Sequence, residues 1–543
     1  MDLEIPDALA GKLLSKIDAD SVLGKQLSEH RNSKGRIVVS SKVFDGNALN
    51  ALYDLSKEHD ERALRFQLLA LDNIYGAPDA RKIPNLEMLI NGLIAYLKRD
   101  AIDGWLYKRN KDGVLLPWLV VGMRHMVPVE AKPYVVISLV ANTLHSADKE
   151  ASDDYRQRRS GMNTVIVIDD NDIADRTIPQ LLAELGYFKE CDDFKREYDA
   201  QVERFHQMQP RFGTQFIAKR AAYLVRAKQG NDYLSLHDGL VAKVVNDEEI
   251  LERRFETNAD NAFWCAAGVE NCFDKIPLHP YLHVFHLELH RNIWVHVDNL
   301  EEYEYNPALR DKLVLPQNHR DLIDILTADM GVLMEDIVEG KSGGTTILCK
   351  GAPGLGKTLT AEVYAEVVGK PLYRVHSGQL GISAESVEAS LSTILRRAAR
   401  WGAILLLDEA DVYIRQRDND LQHNAIVAEF LRTLEYFNGL LFMTTNRTDD
   451  IDDAIVSRCI AIIKYEMPSP TDRVRLWQTL STQFQVELSE EMIAGLTRSF
   501  PDTSGRDIKE LLKLTAKFCR SKNIPVTEDA FHQCAIFRGI SIK

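Results

Sequence analysis

The sequence predicts an α/β protein whose C-terminal part is a P-loop parallel sheet with a helical lid, preceded by a mixed α+β N-terminal region. Three observations predict it. The apolar strand Thr345 to Cys349 runs into a glycine-rich loop and then a helical pattern. A second apolar run, Gly402 to Leu407, ends in the acid pair Asp408 and Glu409. Ahead of both, helical three-and-four spacing gives way to strand-like alternation.

A chain of 543 residues exceeds what one hydrophobic core serves, so about two to four domains are expected. With 45% hydrophobic and 27% charged residues, most of it should fold. The formal net charge of -14 argues against coating nucleic acid by bulk attraction, which needs lysine and arginine to displace counterions; a local basic groove stays open. The longest apolar runs, such as Tyr134 to Ala141, fall far short of the roughly 20 residues of a membrane-spanning helix, so no membrane association is expected. The start carries early acidic residues and no apolar stretch of signal-peptide length. Seven cysteines without a CxxC pair read as reduced thiols, and the expected location is cytoplasmic.

Residues 1–100 read as a helical unit, with apolar spacing of three and four over Ala63 to Leu71 and Leu86 to Leu97. Residues 101–305 read as a mixed α/β recognition region. Trp105 to Tyr107, Val114 to Leu116 and Tyr134 to Ile137 look like strands joined by hairpins, and Thr164 to Ile168 like a buried strand. Amphipathic helices are expected over Ile173 to Leu185 and Phe194 to Gln209, with a turn between helices at Gln209 to Gly213. Strands follow near Leu240 to Val245 and over Tyr281 to Leu300. In that last stretch His283, His286, His290 and His296 alternate as ordinary pleated-face residues, since no acid or thiol ligand set accompanies them; Cys265 and Cys272 are read equally plainly. Residues 310–467 are expected to form the P-loop core and 468–543 the helical lid.

Gly351 to Thr358, GAPGLGKT, fits GxxxxGK[ST] in its strand-loop-helix context. The glycines let backbone N–H groups turn inward around a β-phosphate, and the helix N-terminus adds partial positive charge. Lys357 is expected on the β- and γ-phosphates and Thr358 on magnesium. The nucleotide-contacting set is Gly351, Pro353, Gly354, Leu355, Gly356, Lys357, Thr358 and Leu359. Asp408 would hold the magnesium ion with Thr358, while Glu409 would polarise the attacking water as general base. A third strand, Leu440 to Thr445, ends in Asn446, which could orient that water or sense the γ-phosphate.

With these motifs the chain resembles the AAA family, of the AAA+ group of P-loop ATPases, over about residues 310–543. The resemblance extends to the TTN ending at Asn446, to DDIDDAIVSRC and to SGRDIKELLK. It implies ATP and Mg2+ as cofactors, Asn446 as sensor 1, Arg458 as an arginine finger acting on a neighbouring subunit, and Arg506 as a sensor-2 arginine acting in cis. A guanidinium at the γ-phosphoryl oxygens stabilises the charge that spreads there during transfer. The plainer alternatives are a surface arginine for Arg458 and a lid salt bridge for Arg506. A finger acting in trans implies a ring, and in this family a homo-hexamer.

Protein-threading members of the family carry an aromatic step in the first pore loop. Here His376 to Glu385 contains none, and Leu380, Gly381 and Ile382 would offer only a weaker apolar grip. Arg415 and Arg417, after the acid pair, could meet an acidic peptide or a nucleic-acid backbone, or form a solvated charged turn or a structural interface. The expected function is a ring-forming ATPase that remodels a protein partner held by the N-terminal region. A nucleic-acid-associated ATPase of mobile-element or defence type, or a nucleotide-controlled assembly scaffold, are the alternatives.

Overall fold

In a computed structural model, the structure describes residues 2–29, 35–40, 43–59, 61, 64–65, 67–68, 82–110, 113–143, 161–224, 232–235, 242–248, 255, 273–328, 344–381, 383–417, 420–435 and 437–542. The first unit is not purely helical. Leu3 and Ile5 of β1 (Asp2–Pro6) alternate inward and face Ile37 and Val39 of β2 (Arg36–Ser40), its antiparallel partner. Helices Asp7–Leu14 and Gly46–Glu58 close the same core through Leu9, Leu13, Leu52 and Leu55. Period-two alternation over five residues is too short to stand out beside helical segments of this length. The run Ala63 to Leu71 falls mostly outside the described residues, though Leu64 and Leu68 are buried in this core.

An antiparallel five-stranded sheet follows, built from β3 (Trp105–Arg109), β4 (Leu115–Met126), β5 (Tyr134–Asn142), β6 (Gly161–Asp169) and β7 (Tyr187–Lys189), in the order β6-β5-β4-β3-β7. Helix Leu86–Lys98 lays Leu86, Leu89, Ile90, Leu93, Ile94 and Leu97 against it, one apolar stripe at helical spacing. β6 is buried on one face only: Ile166 and Ile168 point into the core, whereas Val165 and Val167 are exposed. The helix expected over Ile173 to Leu185 is two pieces, Asp170–Ile173 and Ile178–Glu184. Asp175 takes φ 60° between them, and the Thr177 hydroxyl caps the second piece by accepting from the Gln180 N–H.

Helix Asp192–Met208 leads into a seven-stranded antiparallel sheet. Its strands are β8 (Gln215–Ala218), β9 (Ala221–Leu224), β10 (Asp232–Ser235), β11 (Ala242–Asn246), β12 (Tyr281–His286), β13 (Arg291–His296) and β14 (Leu300–Glu302), in the order β10-β9-β13-β12-β11-β8-β14. Gln209 to Gly213 is thus a turn between a helix and a strand. His283, His286 and His296 are buried in β12 and β13, but His290 sits in the intervening turn at φ 51°. Cys265 and Cys272 lie outside the described residues.

The C-terminal sheet is wholly parallel: β15 (Thr345–Gly351), β16 (Leu372–His376), β17 (Ile404–Asp408), β18 (Leu440–Thr445) and β19 (Ala461–Tyr465), in the order β16-β17-β18-β15-β19. β17 and β18 are buried along their whole length, as strands covered on both faces are. The lid is four helices, Pro470–Phe484, Glu490–Ser499, Gly505–Lys522 and Glu528–Phe537, packed around Trp477, Leu496, Phe500, Leu511 and Phe531. Among the described residues no helix is long and apolar enough to cross a membrane.

Candidate nucleotide site

The parallel sheet orders the site. β15, β17 and β18 are adjacent and point the same way, so the glycine loop, the acid pair and Asn446 emerge at one edge. They border a cavity of about 1690 Å³ lined by Lys357, Thr358, Asp408, Glu409, Asn446 and Arg506, together with Pro353, Gly354, Leu355, Gly356 and Leu359.

Two glycines of the loop are demanded by the fold. A side chain at Gly351, φ 150°, would meet the Tyr465 carbonyl oxygen at 2.5 Å. At Gly354, φ 83°, it would lie 2.9 Å from Cβ of Arg506 and from Oγ of Ser504, so the lid rests directly on the loop. The Arg506 N–H donates to the Gly354 carbonyl at 3.2 Å.

Lys357 is buried, and its Nζ donates to the carbonyls of Gly351 and Ala352 at 2.7 and 2.8 Å and to Asn446 Oδ1 at 3.0 Å. Burial lowers its pKa, opposed by the carboxylates of Asp411 and Asp408. Asp408 Oδ1 accepts from Thr358 Oγ1 at 2.9 Å and from Thr444 Oγ1 at 2.6 Å, and Oδ2 accepts from Arg374 Nη2 at 2.6 Å. Burial pushes this carboxyl's pKa upward, but the two hydroxyls and the guanidinium outweigh it and hold the group below its ordinary value. An ionised carboxylate beside a hydroxyl is a hard oxygen pair, which fits a small divalent cation completed by phosphate oxygens and water, as Mg2+ prefers.

Glu409 is exposed at the cavity and has φ 56°, a left-handed backbone that a non-glycine residue adopts only when its surroundings enforce it. Its N–H donates to Thr444 Oγ1 at 3.0 Å. Asn446 is fixed from behind by Asp411, whose Oδ1 accepts from the Asn446 N–H at 3.1 Å and from the Thr445 hydroxyl.

Arg458 is not among the cavity residues. It ends helix Asp453–Arg458, donates from Nη1 to the Ala454 carbonyl at 3.1 Å and pairs with Glu435. Arg417 pairs with Asp452 at 2.8 Å, in keeping with the structural-interface alternative considered for it. Leu380 is 1% exposed and packs in the core with Val387 and Tyr413, because the short 3-10 turn Ser377–Gln379 tucks it under the sheet edge; the apolar grip expected of it is corrected accordingly. Ile382 lies outside the described residues.

Sequence reasoning missed Arg374, Thr444 and Asp411. A charged residue inside the otherwise apolar strand β16 was the available signal for Arg374. Asp411, three residues past Asp408, offered none, because its partner Asn446 is distant in the chain.

Residues 347–467 match the family model "ATPase family associated with various cellular activities (AAA)". The uncharacterized AAA family ATPase y4kL of Sinorhizobium fredii (strain NBRC 101917 / NGR234) is 28% identical over 173 residues, 28% of this chain and 51% of that protein. Fidgetin-like protein 1 of Homo sapiens is 28% identical over 196 residues, 34% of this chain and 29% of that protein. The chain thus spans about half the length, or less, of these curated relatives. A chain of the solved E. coli MS115-1 HORMA:CdnC:Trip13 complex is 18% identical, with a TM-score of 0.35 and coverage of 42% of this chain and 90% of that one. Residues 347–467 thus carry an AAA domain, and the likeness is confined to the C-terminal part of the chain.

Proposed function

We propose that the chain binds ATP with Mg2+ at this cavity, hydrolyses it to ADP and phosphate, and uses the cycle to remodel a protein partner held by the N-terminal region. The observation that carries the reading is the meeting of Lys357, Thr358, Asp408 and Asn446 through direct hydrogen bonds at one sheet edge. Lys357 would leave the loop carbonyls for the phosphates. Thr358 and Asp408 would hold the cation, which supplies charge neutralisation across the β- and γ-phosphates when bound. Glu409 would take the proton of the attacking water, and Asn446 would orient that water. Arg506 reaches the same cavity from the lid, suiting a cis contact to the γ-phosphate. Arg458, outside the cavity of its own subunit, suits a contact in trans, and a ring, most simply a homo-hexamer, follows from that role. A cytoplasmic setting agrees with five unpaired cysteines among the described residues.

Glu409→Gln tests the chemistry. It should bind ATP like the parent yet turn over at least about 10² to 10³ more slowly, because only the base is withdrawn. Turnover near the parental rate would sink the assignment. A native protein retained by the ATP-loaded variant is the outcome expected for partner remodelling; retention of DNA or RNA instead would favour the nucleic-acid alternative.

A further inference from the structure

Arg374 lines the same cavity and closes the carboxylate at the centre of the site. It stands on β16, in register with Leu406, two residues before the His376 and Asp408 pair that ends both strands. Nη2 donates to Asp408 Oδ2 at 2.6 Å, and Nη1 reaches Glu362 Oε1 at 3.5 Å. Glu362 lies one helical turn beyond Thr358 on helix Lys357–Val368. The guanidinium therefore ties the end of β17 to the helix that begins with the loop lysine.

The two oxygens of Asp408 have different partners. Oδ1 accepts from Thr358 and Thr444, while Oδ2 takes Arg374. The Asp408 side chain is only 5% exposed, so an unpaired charge there would be costly. A guanidinium supplies the compensation without a bound ion. It also places a fixed positive charge beside the oxygens that fit a divalent cation, and two cations then compete for one carboxylate.

We propose that Arg374 is a positioning residue that acts as built-in counter-cation to Asp408, and so sets how strongly nucleotide binding depends on a divalent cation. The inference rests on the nucleotide-binding reading above. Without a divalent cation, Arg374 neutralises Asp408 and spares an incoming polyphosphate its repulsion. With the cation present, Arg374 weakens the hold of Asp408 on it. Loss of the guanidinium widens the gap between the two conditions from both sides.

The test is titration of the full chain with a fluorescent ATP analogue, once with Mg2+ and once with EDTA, comparing the two dissociation constants. In Arg374→Gln the EDTA-to-Mg2+ ratio should rise about tenfold, the scale expected for removing a unit charge a few ångströms from the cation position. Arg374→Lys should restore most of the parental ratio. In an Asp408→Asn background, Arg374→Gln should leave the ratio where Asp408→Asn puts it. A parental ratio in a folded Arg374→Gln variant overturns the proposal, as does an undiminished effect without the Asp408 carboxylate. If Arg374→Gln fails to fold, Arg374→Met, which keeps the aliphatic stem, carries the same expectation. Absence of binding by the parent in both buffers would defeat the nucleotide-site reading itself, an outcome distinct from an unchanged ratio.

Discussion

At the scale of single residues, the site is held by groups whose alternatives are worse. Lys357 is buried with three acceptors around its ammonium, two of them loop carbonyls of Gly351 and Ala352. The charge is thereby kept on the chain in a place where burial opposes it. Lys357→Ala removes the cation and leaves those carbonyls to solvent, so nucleotide affinity should fall at least about 100-fold, the loss of a strong charge-assisted contact, with little change in melting temperature. Calorimetric titration beside a thermal melt measures both. Affinity close to the parent's would remove this loop from the binding reaction.

At the scale of elements, the contact that matters is lid on loop. Ser504 caps helix Gly505–Lys522 by accepting from the Asp507 N–H, and the first turn of that helix is pressed against Gly354. Gly354→Ala asks an alanine to hold φ 83° and places its methyl 2.9 Å from Cβ of Arg506. The lid should be displaced and Arg506 with it. ATP affinity is expected to drop by about tenfold or more while the lid core around Trp477 stays folded, readable as an unchanged far-UV circular dichroism spectrum. Full parental affinity in this variant would show that the lid's seat on the loop does not matter to the ligand.

At the scale of the whole molecule, the seven-stranded sheet and the parallel sheet share one core. Val245, Phe285 and Leu287 pack with Tyr373, Leu391 and Trp401, and Lys243 bonds Glu366 at 3.1 Å on the helix that begins with Lys357. Within this junction Asp247 Oδ1 accepts from Trp401 Nε1 at 2.9 Å, while Oδ2 is buried with no hydrogen-bond partner among the described residues. Burial raises the Asp247 pKa to about 6, against the hydrogen bond from Trp401 and the charges of Arg397 and Arg400; nearby Glu248 adds to the rise. A carboxyl raised on folding favours the folded state fully below its unfolded value near 4, and that contribution is lost as the pH climbs through about 6. Asp247→Asn keeps an acceptor for Trp401 and carries no charge. Relative to the parent it should melt higher at pH 8 than at pH 5, by a difference worth about 1.4 kcal/mol. An equal offset at both pH values would contradict this. The proposed ring has its own test: Arg458→Ala and Glu409→Gln subunits, each expected to be inactive alone, should regain some hydrolysis when mixed, since certain interfaces then join an intact base to an intact finger. Co-assembled mixtures that stay inactive would count against a finger in trans.

The sequence by itself determined the parts of this protein that are local. A strand, a glycine loop and a helix dictate one another over about a dozen residues, so the segment from Thr345 through Thr358 was legible without a structure, as were Asp408, Glu409 and Asn446 at strand ends. Helix Leu86–Lys98 was legible because one apolar stripe at helical spacing suffices, whereas the helical lid was implied by the family resemblance carried by SGRDIKELLK. What only the tertiary structure decided depends on pairs far apart in the chain. Arg374 meets Asp408, Asp411 meets Asn446, Arg417 turns to Asp452, Leu380 goes inward, and β1 finds β2 across the intervening helices. A buried charge requires a partner and an apolar side chain requires a surface to cover. Periodicity announces both needs, but only the packing of the sheets names the residue that meets each one.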